Sequence, residues 1–387
     1  MSLAHRWHEE LQGELDAAIQ LRHRLHSMPR LSEDETETAA AVVAALGLGG
    51  GDRVAGTGRL LPVTMPDDRG EPPAPAVAMR AELDALPIVE ATHVDWRSRS
   101  GAMHACGHDI HLAALVAVCR SAARLALPLP LVALLQPREE SADSGARDIV
   151  AEGRLAGVGE VVAAHVQPRV PEGVIAVTPG VVNADTAEFT VTVRGQGGHS
   201  GYPHTVTDSV LALSAIVVAL QQISARRIDP VVGVACMVTQ LSAGAANNVV
   251  PGFATGSGTI RTMRTSDRDT ARAALVDIAV QTASAYGCRA EVSFSSGEPA
   301  LRNDPGLAGA AARIVQELGR PAITDFRSFG SDDFSHFGDH ARCLMMFVGT
   351  GTASGSLHDA TYLPADDYVE LVADALIAGY CAAAESR

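Results

Sequence analysis

No run of lysine or arginine interrupts this chain. Its 30 basic residues stand against 45 acidic ones, a net charge of −15, which argues against nucleic-acid or anionic-membrane partners and suits a site that holds cations. Cysteine is sparse as well. Six residues, at 106, 119, 236, 288, 343 and 381, lack the density and close spacing of a disulfide framework, so a reducing, cytoplasmic setting is expected. The N-terminus is charged within a few residues and has no apolar core of a signal peptide. No uncharged apolar run reaches the ~18 residues that span a bilayer, so no membrane partner is expected. What is present is core material: 47% hydrophobic against 19% charged residues excludes a disordered chain. The length of 387 residues allows two domains, or one large domain carrying an insertion.

Residues 4–27 have helical periodicity through Trp7, Leu11, Leu15, Ile19 and Leu25, and the helix ends before Pro29. A second helix runs through ETETAAAVVAALG to the glycines at 47–51. Three short apolar runs follow, PAVAMR (75–80), PLVALLQ (130–136) and VVAAHV (161–166), separated by helical stretches. Apolar strands alternating with helices give βαβ units. The Pro-rich EPPAPA at 71–76 reads as a surface turn. From about 185 the texture changes, because TAEFTVTVRG alternates polar and apolar residues like a half-buried antiparallel strand. The expected fold is therefore α/β: a mostly parallel sheet with helices on both faces, formed by 1–183 and 298–387. A smaller α+β domain of antiparallel sheet and two helices, 184–297, interrupts it.

In an open α/β sheet, ligands sit beyond the carboxyl ends of the strands. Glu82 and Asp84 follow the first apolar run, Glu139 and Glu140 the second, and His165 closes the third. The loop HACGHDIH (104–111) precedes a helix, and Gly107 lets Cys106 and His108 aim thiolate and imidazole at one point. Alone, Cys-Gly-His is as easily a buried thiol beside a surface histidine; four His or Cys within eight residues, next to the carboxylate rim, favour metal binding. A nucleophilic Cys106 is the weaker alternative, since nearby carboxylates would raise its pKa. In the Glu139–Glu140 pair one carboxylate can bind metal while its neighbour faces a water. Asp109 can cap the next helix or orient an imidazole. Taken alone, His358 in SLHDA reads first as a surface histidine. GQGGHSGYPH (195–204) carries His199 and His204 but no phosphate-loop lysine, so a nucleotide site is rejected. Asn247 and Arg261 could bind an anionic group, or be structural.

Nearly the whole chain resembles, in order, the metal-dependent aminoacylases and carboxypeptidases that include hippurate hydrolase and the indoleacetyl-amino-acid amidohydrolases. LRHRLHSMPRLS, RAELDALP, GAMHACGHDIH, LLQPREE, GQGGHSGYPH, LQQISARRIDP, the NxxP–GTIR pair and SDDF carry the likeness. HACGHD followed by QPxEE is the specific part. The resemblance implies hydrolysis of N-acyl amino acids by two divalent metal ions per chain, with Mn²⁺ or Zn²⁺ first and Co²⁺ or Ni²⁺ compatible. It implies Cys106, His108, Glu140, His165 and His358 as metal ligands and Glu139 as general acid/base. Asp84 would orient a ligand, and His199 would stabilise the oxyanion, commonly from the partner subunit of a homodimer built through the inserted domain. Asn247 and Arg261 would hold the substrate carboxylate. Glu82, Ile110, Arg138 and Asp332 depart from the family's usual residues, and Ile110 and Arg138, beside the site, leave the acyl preference open. The alternatives are a metallo-carboxypeptidase or dipeptidase acting on small peptides, a non-catalytic metal-binding homologue, and a metal-free cysteine hydrolase.

Overall fold

The computed structural model describes residues 1–64 and 74–387; of the turn expected at 71–76, residues 71–73 lie outside the described ones. The chain divides into two compact units. One is Met1–Gly180 with Arg302–Phe326 and His336–Arg387; the other is Val181–Leu301 with Arg327–Ser335.

The first unit is built on an eight-stranded sheet. Its leading strands are β1 (Asp52–Val54), β2 (Gly58–Thr64), β3 (Ala76–Glu82), β4 (Leu131–Gln136) and β5 (Val158–Gln167). The order runs β1-β2-β4-β3-β5, then Arg342–Gly349, Ile175–Ala176 and Ala322–Ile323. β4, β3, β5 and Arg342–Gly349 are mutually parallel, while the β1–β2 hairpin joins β4 antiparallel. Val77, Met79, Val162, Ala164, Leu344 and Met346 lie in one core with the helices His108–Ala122 and Tyr368–Glu385. Alternate residues of the same strands, among them Ala78, Leu134, Val161 and Met345, are buried on the other face. Burial on both faces is why these strands read as continuous apolar runs.

The first helix is two. Leu3–Gln12 and Leu15–Ser27 are separated at Gly13 and Glu14. Leu11 and Leu15 keep the helical spacing across the break, which is why periodicity alone runs through it. The six cysteines are free and buried.

In the second unit four antiparallel strands run in the order Val234–Ala243, Phe253–Thr262, Asp185–Arg194, Arg289–Ser296. Helices Ser209–Leu220 and Thr265–Ala285 pack on them through Leu213, Ile216, Leu275 and Ile278. The segment 327–335 joins this unit because Ser328 N–H donates to Val182 O at 2.9 Å and Ala184 N–H to Gly330 O at 3.1 Å. The helical stretch Ser209–Arg227 is, by length and composition, apolar enough to cross a membrane, but its uncharged run is bounded by Asp208 and Arg226 and stays short of the ~18 residues that span a bilayer. Ala212, Leu213, Ile216, Leu220 and Ile223 nevertheless bury one side of it in the core of this unit.

Candidate metal centre

The donors converge in the first unit because the ends of its parallel strands and one helix start lie side by side. The helix His108–Ala122 begins after Gly107, whose φ is +86°. A Cβ on Gly107 would stand 2.4 Å from Val166 Cγ2. Glycine is needed twice over, for the backbone conformation and for the approach to β5. Cys106 Sγ then lies 3.5 Å from His165 Nε2. Donors on one tetrahedral ion at ~2.0–2.3 Å stand ~3.3–3.7 Å apart, so this spacing suits a shared cation.

Each imidazole shows which nitrogen is available. His165 Nδ1 donates to Val166 O at 2.6 Å, leaving Nε2 toward Cys106. Burial pushes its pKa down to about 3, which keeps a lone pair on that nitrogen. His108 Nδ1 donates to the Asp84 carbonyl oxygen at 2.8 Å. Its Nε2 is buried without a hydrogen bond, 3.7 Å from Glu139 Oε2 and 3.9 Å from Glu140 Oε1. Burial lowers the His108 pKa, but Glu82, Glu140 and Asp84 outweigh it and the net shift is upward. Glu140 Oε1 is likewise buried with no well-formed hydrogen bond, 3.4 Å from His358 Nε2. Burial raises the Glu140 pKa, yet His358 and His108 prevail and hold it below the usual value.

His358 sits in the left-handed region at φ +66°, and its N–H donates to Ala105 O at 3.0 Å. That bond places a residue 252 positions away beside Cys106. Burial, then Glu140 and Glu139, push the Cys106 thiol well above its ordinary pKa. A nucleophilic thiolate is disfavoured there, and only a cation makes one stable. The donor atoms of Cys106, His108 and Glu140 all lie within 4.8 Å of one another, as do those of Glu82, His108, His111 and His165, although hydrogen bonds already engage Glu82 and His111 in the second group. Buried lone pairs of sulfur, nitrogen and oxygen facing each other are costly unless a cation lies between them. The residues fit divalent ions of borderline softness.

Residues 78–375 match the sequence profile of peptidase family M20/M25/M40. The chain belongs to that family. It is 32% identical over 335 residues to the N-acetyl-L-cysteine deacetylase of Bacillus subtilis, covering 86% of this chain and 80% of the relative. It is 32% identical over 359 residues to thermostable carboxypeptidase 2 of Saccharolobus solfataricus, 90% of each. A dinuclear metal binding peptidase of the M20 family from Bacillus subtilis superimposes with a TM-score of 0.84 at 25% identity, over 97% of this chain and 100% of that one. The protein is thus an M20 hydrolase, a metal-dependent amidohydrolase or peptidase.

In this M20 hydrolase Asp84 acts through two groups. Its carbonyl takes the His108 ring, and its carboxylate Oδ2 accepts from Glu140 N–H at 2.9 Å and from Ser32 Oγ at 2.8 Å. Asp109 neither caps its helix nor touches a ligand imidazole. It accepts from Arg22 Nε at 3.3 Å and lies 3.1 Å from His26 Nδ1. His111 was not among the expected site residues, although it stands one turn after His108. Its Nδ1 lies 2.9 Å from Glu82 Oε2, and its Nε2 accepts the Val166 N–H at 3.0 Å. Both nitrogens are spent, so His111 braces the strand carrying His165 and is not a ligand. The second unit holds the other expected residues. His199 is exposed, its Nδ1 accepting from Gly201 N–H at 3.0 Å. Asn247 is exposed, and the half-buried Arg261 donates to Phe329 O at 2.7 Å.

Proposed function

We propose that the protein hydrolyses the amide bond of N-acyl amino acids, hippurate-like or indoleacetyl-amino-acid-like compounds among them, as a cytoplasmic homodimer. The observation that carries this reading is the split within the Glu139–Glu140 pair. Glu140 shares one cluster with Cys106 and His108, while Glu139 stands beside it, 3.7 Å from His108 Nε2. This supports a reading in which Glu140 binds a cation and Glu139 carries a proton.

Cys106, His108, Glu140, His165 and His358 would hold two divalent ions, manganese or zinc, with cobalt or nickel compatible with the same donors. Such ions would supply Lewis-acid chemistry there, lowering the pKa of a water toward ~7 and polarising the scissile carbonyl. Glu139 accepts the water's proton and hands it to the leaving amine, a role contributing ~10²–10⁴-fold. Asp84 keeps Glu140 and His108 in place. By resemblance, His199 stabilises the oxyanion from the partner subunit, and Asn247 and Arg261 take the substrate carboxylate. Dimerisation through the second unit is supported by exposed Leu211, Val218, Met237 and Leu241, the last two on the edge strand Val234–Ala243. The six free cysteines support a reducing compartment.

A metallo-carboxypeptidase acting on small peptides is the second reading, favoured by the likeness to thermostable carboxypeptidase 2. Amine release from N-acetyl, benzoyl and indoleacetyl amino acids, run beside unblocked dipeptides, separates the two. Turnover of the acyl series supports aminoacylase action, turnover of dipeptides alone shifts the assignment, and none of either by metal-loaded protein ends both.

A further inference from the structure

Glu35 is a fully buried carboxylate that the chemistry above does not use. Its two oxygens are divided between two donors. Arg138 N–H donates to Oε1 at 2.9 Å, and Thr57 Oγ donates to Oε2 at 2.8 Å. It occupies the N-cap position of the helix Thr36–Leu46 yet makes no capping bond, so helix capping does not account for it. On the far side of Glu139, the Glu140 N–H is held by Asp84 Oδ2 at 2.9 Å. The backbone amides on both sides of Glu139 are therefore tied to buried carboxylates.

The two ties share one support. Ser32, three residues before Glu35, donates to that same Asp84 oxygen, Leu31 bridges to Ala85, and Ala85 N–H donates to Arg30 O at 2.8 Å. The segment 30–35 thus lies under both carboxylate-bearing loops. The turn it holds is also a strained one. Arg138 has φ +55°, a region L side chains avoid and keep only where the surroundings over-determine it. The path is narrow besides: a Cβ on Gly145 would fall 1.8 Å from Pro137 O.

We propose that Glu35 is a positioning residue for Glu139. By holding the Arg138 amide it fixes the turn after β4, and with it the direction of the Glu139 carboxylate. The inference rests on Glu139 being the proton carrier.

The test uses full-length, metal-loaded protein and whichever N-acyl amino acid of the panel above is turned over. E35A is expected to lower kcat 10- to 100-fold with KM within 3-fold, both metals retained by elemental analysis. E35Q, which keeps an acceptor for the Arg138 N–H, is expected to recover most of that loss. In an E139D background, E35A should cost less than a further 3-fold, because the group it aims is already displaced. An unchanged kcat in E35A while E139Q is inactive overturns the proposal. So does E35Q losing as much as E35A, or E35A exacting its full loss in the E139D background. Should E35A fail to fold, T57V, which frees one oxygen of Glu35, should lower kcat 2- to 10-fold, and an unchanged kcat there counts against the idea. Turnover surviving in E139Q would remove the reading of Glu139 itself, a separate outcome from failure at Glu35.

Discussion

At His111 both ring nitrogens are committed, to Glu82 and to the Val166 amide. H111Q should therefore keep two metals per chain while losing ~2–4 kcal/mol of stability, since it strips a buried carboxylate of one partner. Loss of one metal equivalent, measured by elemental analysis, would show that His111 is a ligand after all. Glu139 is the converse case. E139Q should bind metal as the parent does and lose ~10²–10⁴-fold in kcat; a variant that turns over normally would move the proton elsewhere. Residues proposed to act through their own side chain were the legible ones. Cys106, Glu140 and His165 sit at strand ends or a helix start, where a fold-level rule places ligands. His111, Ser32 and Glu35 were not legible, because each acts on a backbone amide or carboxylate that reaches it only through tertiary contact. For His111 that partner lies 55 residues along the chain.

Among elements, the helix start at Gly107 approaches the sheet too closely for a side chain. G107A would force a Cβ into Val166 and into a disfavoured φ, and is expected to cost ~2–4 kcal/mol in unfolding measurements and to weaken metal binding. The helix Leu15–Ser27 supplies a titrating group to the same neighbourhood. Burial lowers the His26 pKa, but Asp109 and Glu90 outweigh it and raise it to about 9. An imidazolium held in the fold stabilises it fully below the unfolded value of ~6.5 and progressively less as pH climbs through about 9. Thermal unfolding across pH 6–10 should show stability falling over that window, and H26Q should flatten it; an unaltered slope in H26Q would assign the fall to other groups. The central strands were readable because burial on both faces makes them unbroken apolar runs. The hairpin β1–β2 was not, since DRV is three residues long and GRLLPVT carries a proline.

Over the whole molecule, four separate stretches of chain supply the proposed ligands, around 106–108, 140, 165 and 358, so cations would cross-link distant segments of the first unit. Chelation with EDTA should lower its melting temperature as well as abolish turnover, with Mn²⁺ or Zn²⁺ restoring both; activity that survives chelation would revive the cysteine-hydrolase alternative. If His199 serves the neighbouring subunit, mixing H199A and E139A proteins should recover part of the activity each lacks. Absence of recovery would place its action within one chain. The parallel pairing of β5 with Arg342–Gly349 has a consequence for synthesis. About 175 residues separate Gln167 from Arg342, and at ~5–20 residues per second a ribosome needs roughly 10–35 s to deliver them. Throughout that interval the nascent chain exposes the long apolar edge of β5 while the second unit, nearly complete by Leu301, can already fold. A ribosome stalled within the stretch would release a polypeptide with an open, sticky margin, the form that chaperones capture and proteases remove.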